Sequence, residues 1–208
     1  MPESFDNKPC PDVIFASSNM NKYFEAEKIL AGFGIKPLHY LLDLLEIQDD
    51  SLSKIAEQKA VYAYNETRKM KSFAPKPSAV IVEDDGLFID SLSGFPGPFS
   101  SYAFKTLGND GILKLVGNNR NAQFRAVIAY CDSNEKPKLF ESSIAGTISE
   151  NIQGNGWGYE PIFIPENQTK TYAELADKNK LSHRYESLKK FASWFKNCLL
   201  YTSPSPRD

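Results

Sequence analysis

Four short stretches of this chain concentrate residues that can do chemistry. The first is Ser17-Ser18-Asn19-Met20-Asn21-Lys22. It follows an apolar run at residues 13–16 and precedes a helical pattern, so it lies where a strand hands over to a helix. Unpaired N–H groups at a helix N-terminus attract anions. Ser17, Asn19 and Lys22 within one turn strengthen such a phosphate site. The glycines of a P-loop are missing, and a capped helix with an exposed lysine is the plain alternative.

The second stretch is Glu83-Asp84-Asp85, directly after the apolar run 79–82. Three adjacent acids repel one another, and a cation or solvent relieves that repulsion. Carboxylate oxygens suit Mg²⁺, which takes few carboxylates and completes its shell with substrate phosphates. Glu46, in a loop after another apolar run, adds an oxygen donor. The ordinary alternative is an acidic turn between two extended segments. The third stretch is Gly154-Asn155-Gly156-Trp157-Gly158-Tyr159-Glu160-Pro161. Its glycines let a ligand approach the backbone, and Trp157 and Tyr159 offer faces for a base. Base stacking of that kind is worth roughly 1–3 kcal/mol. Aromatics packed into the core are the alternative.

The fourth stretch is Lys178-Asn179-Lys180-Leu181-Ser182-His183-Arg184. Ser182 can cap a last helix, which puts His183 and Arg184 in its first turn. Basic residues there oppose the helix dipole, and local rules of this kind tend to be broken at functional sites. A solvated surface histidine is the competing explanation for His183.

The elements that must position these stretches read as follows. A first strand covers 13–16. Tyr23, Ala26, Ile29 and Leu30 recur at helical spacing, with Gly32 and Gly34 as the stop. A second strand is expected around 38–45, then a helix from the N-cap Ser51 to about Lys69. Extended segments at 79–82 and 87–89 flank the acidic turn. A Gly/Pro loop at 94–98 and a short helix at 111–116 follow, then strong strands at 122–131 and 139–148. A helix from Ser182 to Lys196 presents Tyr185, Leu188, Phe191, Ala192 and Phe195 on one side. Mixed strands and helices predict an α/β domain. Residues 199–208 carry a Ser-Pro repeat that cannot extend a helix. They read as a disordered tail that need not be native.

Composition narrows the function classes. The 208 residues are 41% hydrophobic, with 14 Phe and 10 Tyr, enough for a substantial core. A formal net charge of -2 without a basic block argues against nucleic acid as a partner. Three widely spaced cysteines suggest neither a disulfide framework nor a zinc cluster. With no signal peptide and no apolar run of membrane length, no membrane partner is expected and a cytoplasmic location is.

The four stretches, in order, resemble the Ham1 family of inosine triphosphate pyrophosphatases. Further motifs support it: Gly94-Phe-Pro-Gly-Pro98, Asn119-Arg-Asn-Ala-Gln-Phe124 and Thr171-Tyr-Ala-Glu-Leu175. The short loop Glu46-Ile-Gln-Asp49 looks like the archaeal and eukaryotic branches. The resemblance implies a long central mixed sheet with flanking helices, two lobes around a nucleotide cleft within residues 1–198, and a homodimer. It implies hydrolysis of ITP, dITP and XTP to monophosphate and pyrophosphate, assisted by Mg²⁺.

Residue by residue, the resemblance has Ser17, Asn19, Lys22 and Lys59 hold phosphates. Glu46, Glu83 and Asp84 would hold the metal, and Asp84 would act as general base beside Lys22. Trp157 would stack on the base, while Gly158, Tyr159, Glu160, Lys178, His183 and Arg184 would surround it. Asp85 would border the triphosphate. Three positions depart from the family pattern: Ser18 for Gly, Asp85 for Ser or Thr, and Glu160 for Asp. Two rival readings are a Maf-like pyrophosphatase for other nucleotides and a nucleotide-binding scaffold that has lost catalysis.

Overall fold

The computed structural model describes residues 13–43, 47–69, 79–134 and 136–201. Six strands form one mixed sheet in the order β2-β1-β3-β4-β5-β6. These are β1 (Val13–Ala16), β2 (Leu38–Tyr40), β3 (Ala79–Ile89), β4 (Asn121–Asp132), β5 (Lys138–Ile148) and β6 (Phe163–Pro165). β1 runs parallel to both β2 and β3, whereas β3, β4, β5 and β6 pair antiparallel. The expected α/β mixed sheet with flanking helices is therefore what forms.

Helices α1 (Met20–Ala31) and α5 (His183–Tyr201) cover one face of the β1–β3–β4 region, and α2 (Leu52–Lys69) covers the other. The alternation of the strands explains why both faces are apolar. Val13, Phe15, Ala79, Ile81 and Ile128 meet Leu30, Leu188 and Phe191 on the first face. Ile14, Val80, Val82 and Val127 meet Ala56, Ala60 and Ala63 of α2 on the second. A third cluster joins the far halves of β3 and β4 to α3 (Ser100–Leu115) through Leu87, Ile89, Ile112 and Phe124. Among the described residues no helix is long and apolar enough to cross a membrane.

Several sequence expectations need correction. The acidic triplet is not a turn: β3 runs unbroken from Ala79 to Ile89, with Glu83, Asp84 and Asp85 paired to Ile128, Val127 and Ala126. Partner strands on both sides of its first half satisfy its backbone, so the local repulsion of three acids does not end it. The short helix expected at 111–116 begins at Ser100 and bends at Gly108, whose φ of 62° and ψ of -172° are non-helical. That glycine masked the first half of the helix in the sequence pattern. β2 stops at Tyr40, and the rest of the segment expected up to residue 45 is not strand where described. α5 continues to Tyr201, past the expected end at Lys196 and into the first residues of the expected tail. Residues 202–208 and Glu46 lie outside the described residues.

Candidate active site

The period of two along β3 divides the acidic triplet between the faces of the sheet. Ala79 and Ile81 face α1 and α5, so Glu83 and Asp85 do too. Val80 and Val82 face α2, so Asp84 does. One sequence motif thus supplies two separate environments.

On the α1/α5 side a web of buried charges forms. The Arg184 guanidinium, 2% exposed, donates through Nε to both Glu83 oxygens at 2.9 Å and through NH2 to Asp85 at 2.9 Å. Its NH1 donates to Glu25. Lys22 pairs with Asp85 and stands 4.0 Å from Glu83. Burial opposes the charged Lys22 ammonium, but Asp85, Glu83 and Asp84 outweigh it and raise its pKa. Burial likewise opposes the Asp85 carboxylate, yet Lys22, His183 and Arg184 hold its pKa well below the usual range. Asp85 is therefore a fixed anion. His183 stacks on Phe124 with ring centroids 4.5 Å apart, and its Nε2 lies 3.6 Å from Asp85. Burial lowers the His183 pKa against the opposing pull of Asp85.

The α2 side is simpler. Asp84 accepts a 2.8 Å hydrogen bond from the Lys59 ammonium, and both side chains are buried. Desolvation raises the Asp84 pKa, with Lys59 and Lys22 opposing it. Gly86, two residues on from Asp84 in β3, closes this corner. A Cβ there would lie 2.2 Å from the carbonyl oxygen of Gly97, so no larger residue fits. Ser100 fills the space, accepting from the Leu87 N–H at 2.9 Å and donating to the Gly97 carbonyl at 2.7 Å.

The two environments open onto one cleft of about 410 Å³, lined by the 16–19 turn, Lys22, the acidic triplet and the 157–160 turn. Asn19 is the N-cap of α1, and its Oδ1 accepts from the N–H groups of Asn21 at 3.0 Å and Lys22 at 3.3 Å. The Ser17 hydroxyl accepts from the Asn19 N–H at 3.1 Å. Trp157 is half-buried; its Nε1 donates to Glu25 at 3.0 Å, and its ring lies 5.2 Å from the Arg184 guanidinium carbon. Tyr159 follows the core-packing alternative, with its edge against Phe104 and its hydroxyl donating to the Ser100 carbonyl at 3.1 Å. Lys178 sits behind this wall, bonded to Glu25 and Glu160. Burial raises the Glu160 pKa, and Lys178 opposes it.

Glu25 is the residue that sequence reasoning missed. It receives Trp157, Lys178 and Arg184 at once, and Arg184 and Lys178 lower its pKa against its burial. Its signal was present, because Glu25 lies three residues after Lys22 on the same helical stripe. Of the expected metal set Glu46 lies outside the described residues, and the other two members are set apart. Glu83 and Asp84 face opposite sides of the sheet, and Glu83 is committed to Arg184. Among the described residues no three His, Cys, Asp or Glu side chains converge on a metal-sized space.

Fold and cleft define an α/β protein whose cleft sets a capped helix N-terminus beside buried, ion-paired carboxylates. A model of the Ham1 family matches residues 13–194, and the chain belongs to that family. It is similar to the dITP/XTP pyrophosphatase of Methanopyrus kandleri, 46% identical over 89% of this chain and 96% of that one. The dITP/XTP pyrophosphatase of Pyrococcus horikoshii is 40% identical over 91% and 99% of the two chains. The HAM1 protein from Coxiella burnetii superposes with a TM-score of 0.74 at 28% identity, covering 89% and 98%.

Proposed function

We propose that this chain hydrolyses non-canonical purine nucleoside triphosphates, dITP, ITP and XTP, to the monophosphate and pyrophosphate. The observation that carries the chemistry is the Asp84–Lys59 pair in the cleft: a desolvated carboxylate with a raised pKa beside a fixed ammonium. Water attacks the α-phosphorus, the bond to the β-bridging oxygen breaks, and pyrophosphate leaves. Asp84 takes the proton of the attacking water as general base, and its raised pKa brings it nearer the operating pH. Lys59 and Lys22 hold phosphate oxygens, while Asn19 and Ser17 keep the α1 N-terminus pointed at them.

A divalent cation belongs to this reading, and we take it to be Mg²⁺. The oxygen-only donor chemistry of Asp84 fits a hard cation that needs few carboxylates. Asp84 would hold it, with Glu46 as the second carboxylate. Bound Mg²⁺ supplies Lewis-acid polarisation of the phosphate oxygens. At the other end Trp157 stacks on the base, with Glu160, Lys178, His183 and Arg184 around it. Asp85, locked by Lys22 and Arg184, positions those two cations.

The working unit is proposed to be a homodimer in the cytoplasm. Of the twelve exposed large hydrophobic residues among those described, six lie at 95–115, and Tyr102 is 71% exposed. Exposed apolar side chains concentrated in one segment are the surface we assign to self-association. The test of the reaction is product analysis with a panel of triphosphates. ITP, dITP and XTP should yield monophosphate and pyrophosphate, with ATP far slower. IDP and orthophosphate as first products would overturn the mechanism.

A further inference from the structure

The charges lining the cleft do not suit a polyanion as they stand. The lining contains five carboxylates, Asp43, Glu83, Asp84, Asp85 and Glu160, against four cations, Lys22, Lys59, Lys105 and Arg184. Three of those cations are already engaged: Lys22 by Asp85, Lys59 by Asp84, and Arg184 by Glu25, Glu83 and Asp85. Among the described residues Lys105 alone of the four has no carboxylate within salt-bridge distance. A triphosphate brings several negative charges into this surplus of carboxylates, and an uncommitted ammonium is the group that offsets them without first breaking an ion pair.

Position supports the same reading. Lys105 is exposed on α3, with Ser101 and Phe104 of the same helix also lining the cleft. Residues 101, 104 and 105 fall on one helical stripe. That stripe is held against the site by Phe104 on Tyr159, 5.3 Å between centroids, and by Asn109, which donates to the Gly158 carbonyl at 3.1 Å. The stem of a lysine is long and flexible, so the ammonium reaches an anion in the cleft while its Cα stays fixed.

We propose that Lys105 is a further substrate-positioning residue, pairing with the phosphate chain of the bound triphosphate from the α3 wall. The proposal rests on the triphosphate-hydrolysis reading above. Kinetics of K105R, K105M and K105E with ITP and Mg²⁺, across a salt series, test it. KM should follow charge: near wild type for K105R, up about fivefold for K105M, and up more than about tenfold for K105E. kcat should move little, melting temperatures should match wild type, and the KM differences should shrink as salt rises. Unchanged KM in K105E, or losses independent of charge and salt, would overturn the role of Lys105 if the wild type releases pyrophosphate from ITP. A wild type that fails to release it would overturn the underlying reading instead.

Discussion

Asp84 and Asp85 are neighbours on one strand with the same side chain, yet their environments have opposite effects. Asp84 faces α2, where burial outweighs the nearby cations and its pKa rises. Asp85 faces α1 and α5, where Lys22, His183 and Arg184 outweigh burial and its pKa falls well below normal. The first is suited to exchanging a proton, the second to staying charged. What separates them is which face of the sheet each enters, and hence how many cations meet it. A residue's job in this cleft follows from its partners, not from its type.

The sharpest way to break that comparison is to neutralise each side in turn. Asp84→Asn keeps the shape and removes the proton acceptor, so kcat for pyrophosphate release from ITP should fall by about 10²–10⁴-fold. Asp85→Asn should cost less in kcat and show more in KM and stability. If Asp85→Asn lost turnover as heavily as Asp84→Asn, the two carboxylates would not have separate tasks.

Arg184→Ala probes the web itself. It leaves Glu25, Glu83 and Asp85 without their shared guanidinium. Breaking a buried pair by removing one partner costs roughly 3–5 kcal/mol, so chemical denaturation should show a loss on that scale. Asp84→Asn should show a much smaller loss, because it removes one hydrogen-bonded carboxylate and leaves no triad of acids without its shared cation. A stable Arg184→Ala protein would mean that water reaches this web and the burial is shallow.

The smallest expected effect is a shift in pH profile. Lys59 lowers the Asp84 pKa, so Lys59→Met should raise it. A base works deprotonated, so the acidic limb of the pH–kcat profile should move to higher pH, with activity lost first at the acid end. A limb that stays in place would assign it to another group.

The elements themselves were legible from periodicity: β1, α1, α2, β4, β5 and α5 were all expected close to where they stand, because their apolar faces repeat at the spacing of a strand or a helix. α3 was half hidden, since Gly108 interrupts the pattern while packing on β3 and the 157–160 turn carries the helix past it. Asn19 and Lys22 were readable because local sequence places them together at the start of a helix, and Asp84 because it stands in a run of three acids after an apolar strand pattern. Glu25 had only its helical spacing from Lys22 to mark it, because its partners Trp157, Lys178 and Arg184 lie more than 130 residues away in the chain.

Sequence alone therefore determined the family, the strand and helix alternation, and the stock of carboxylates and cations in the cleft. Tertiary structure decided how that stock is divided. Adjacent acids on a strand must point to opposite faces, and only the packing of α1, α2 and α5 says which cations wait there. That packing gives Asp84 a direct pair with Lys59 and Asp85 a web, and among the described residues it leaves Lys105 at the edge of the cleft with no carboxylate within salt-bridge distance. Charge partners are long-range facts of the fold, so the working state of each ionisable group is written in the assembled sheet and helices, not in the order of residues.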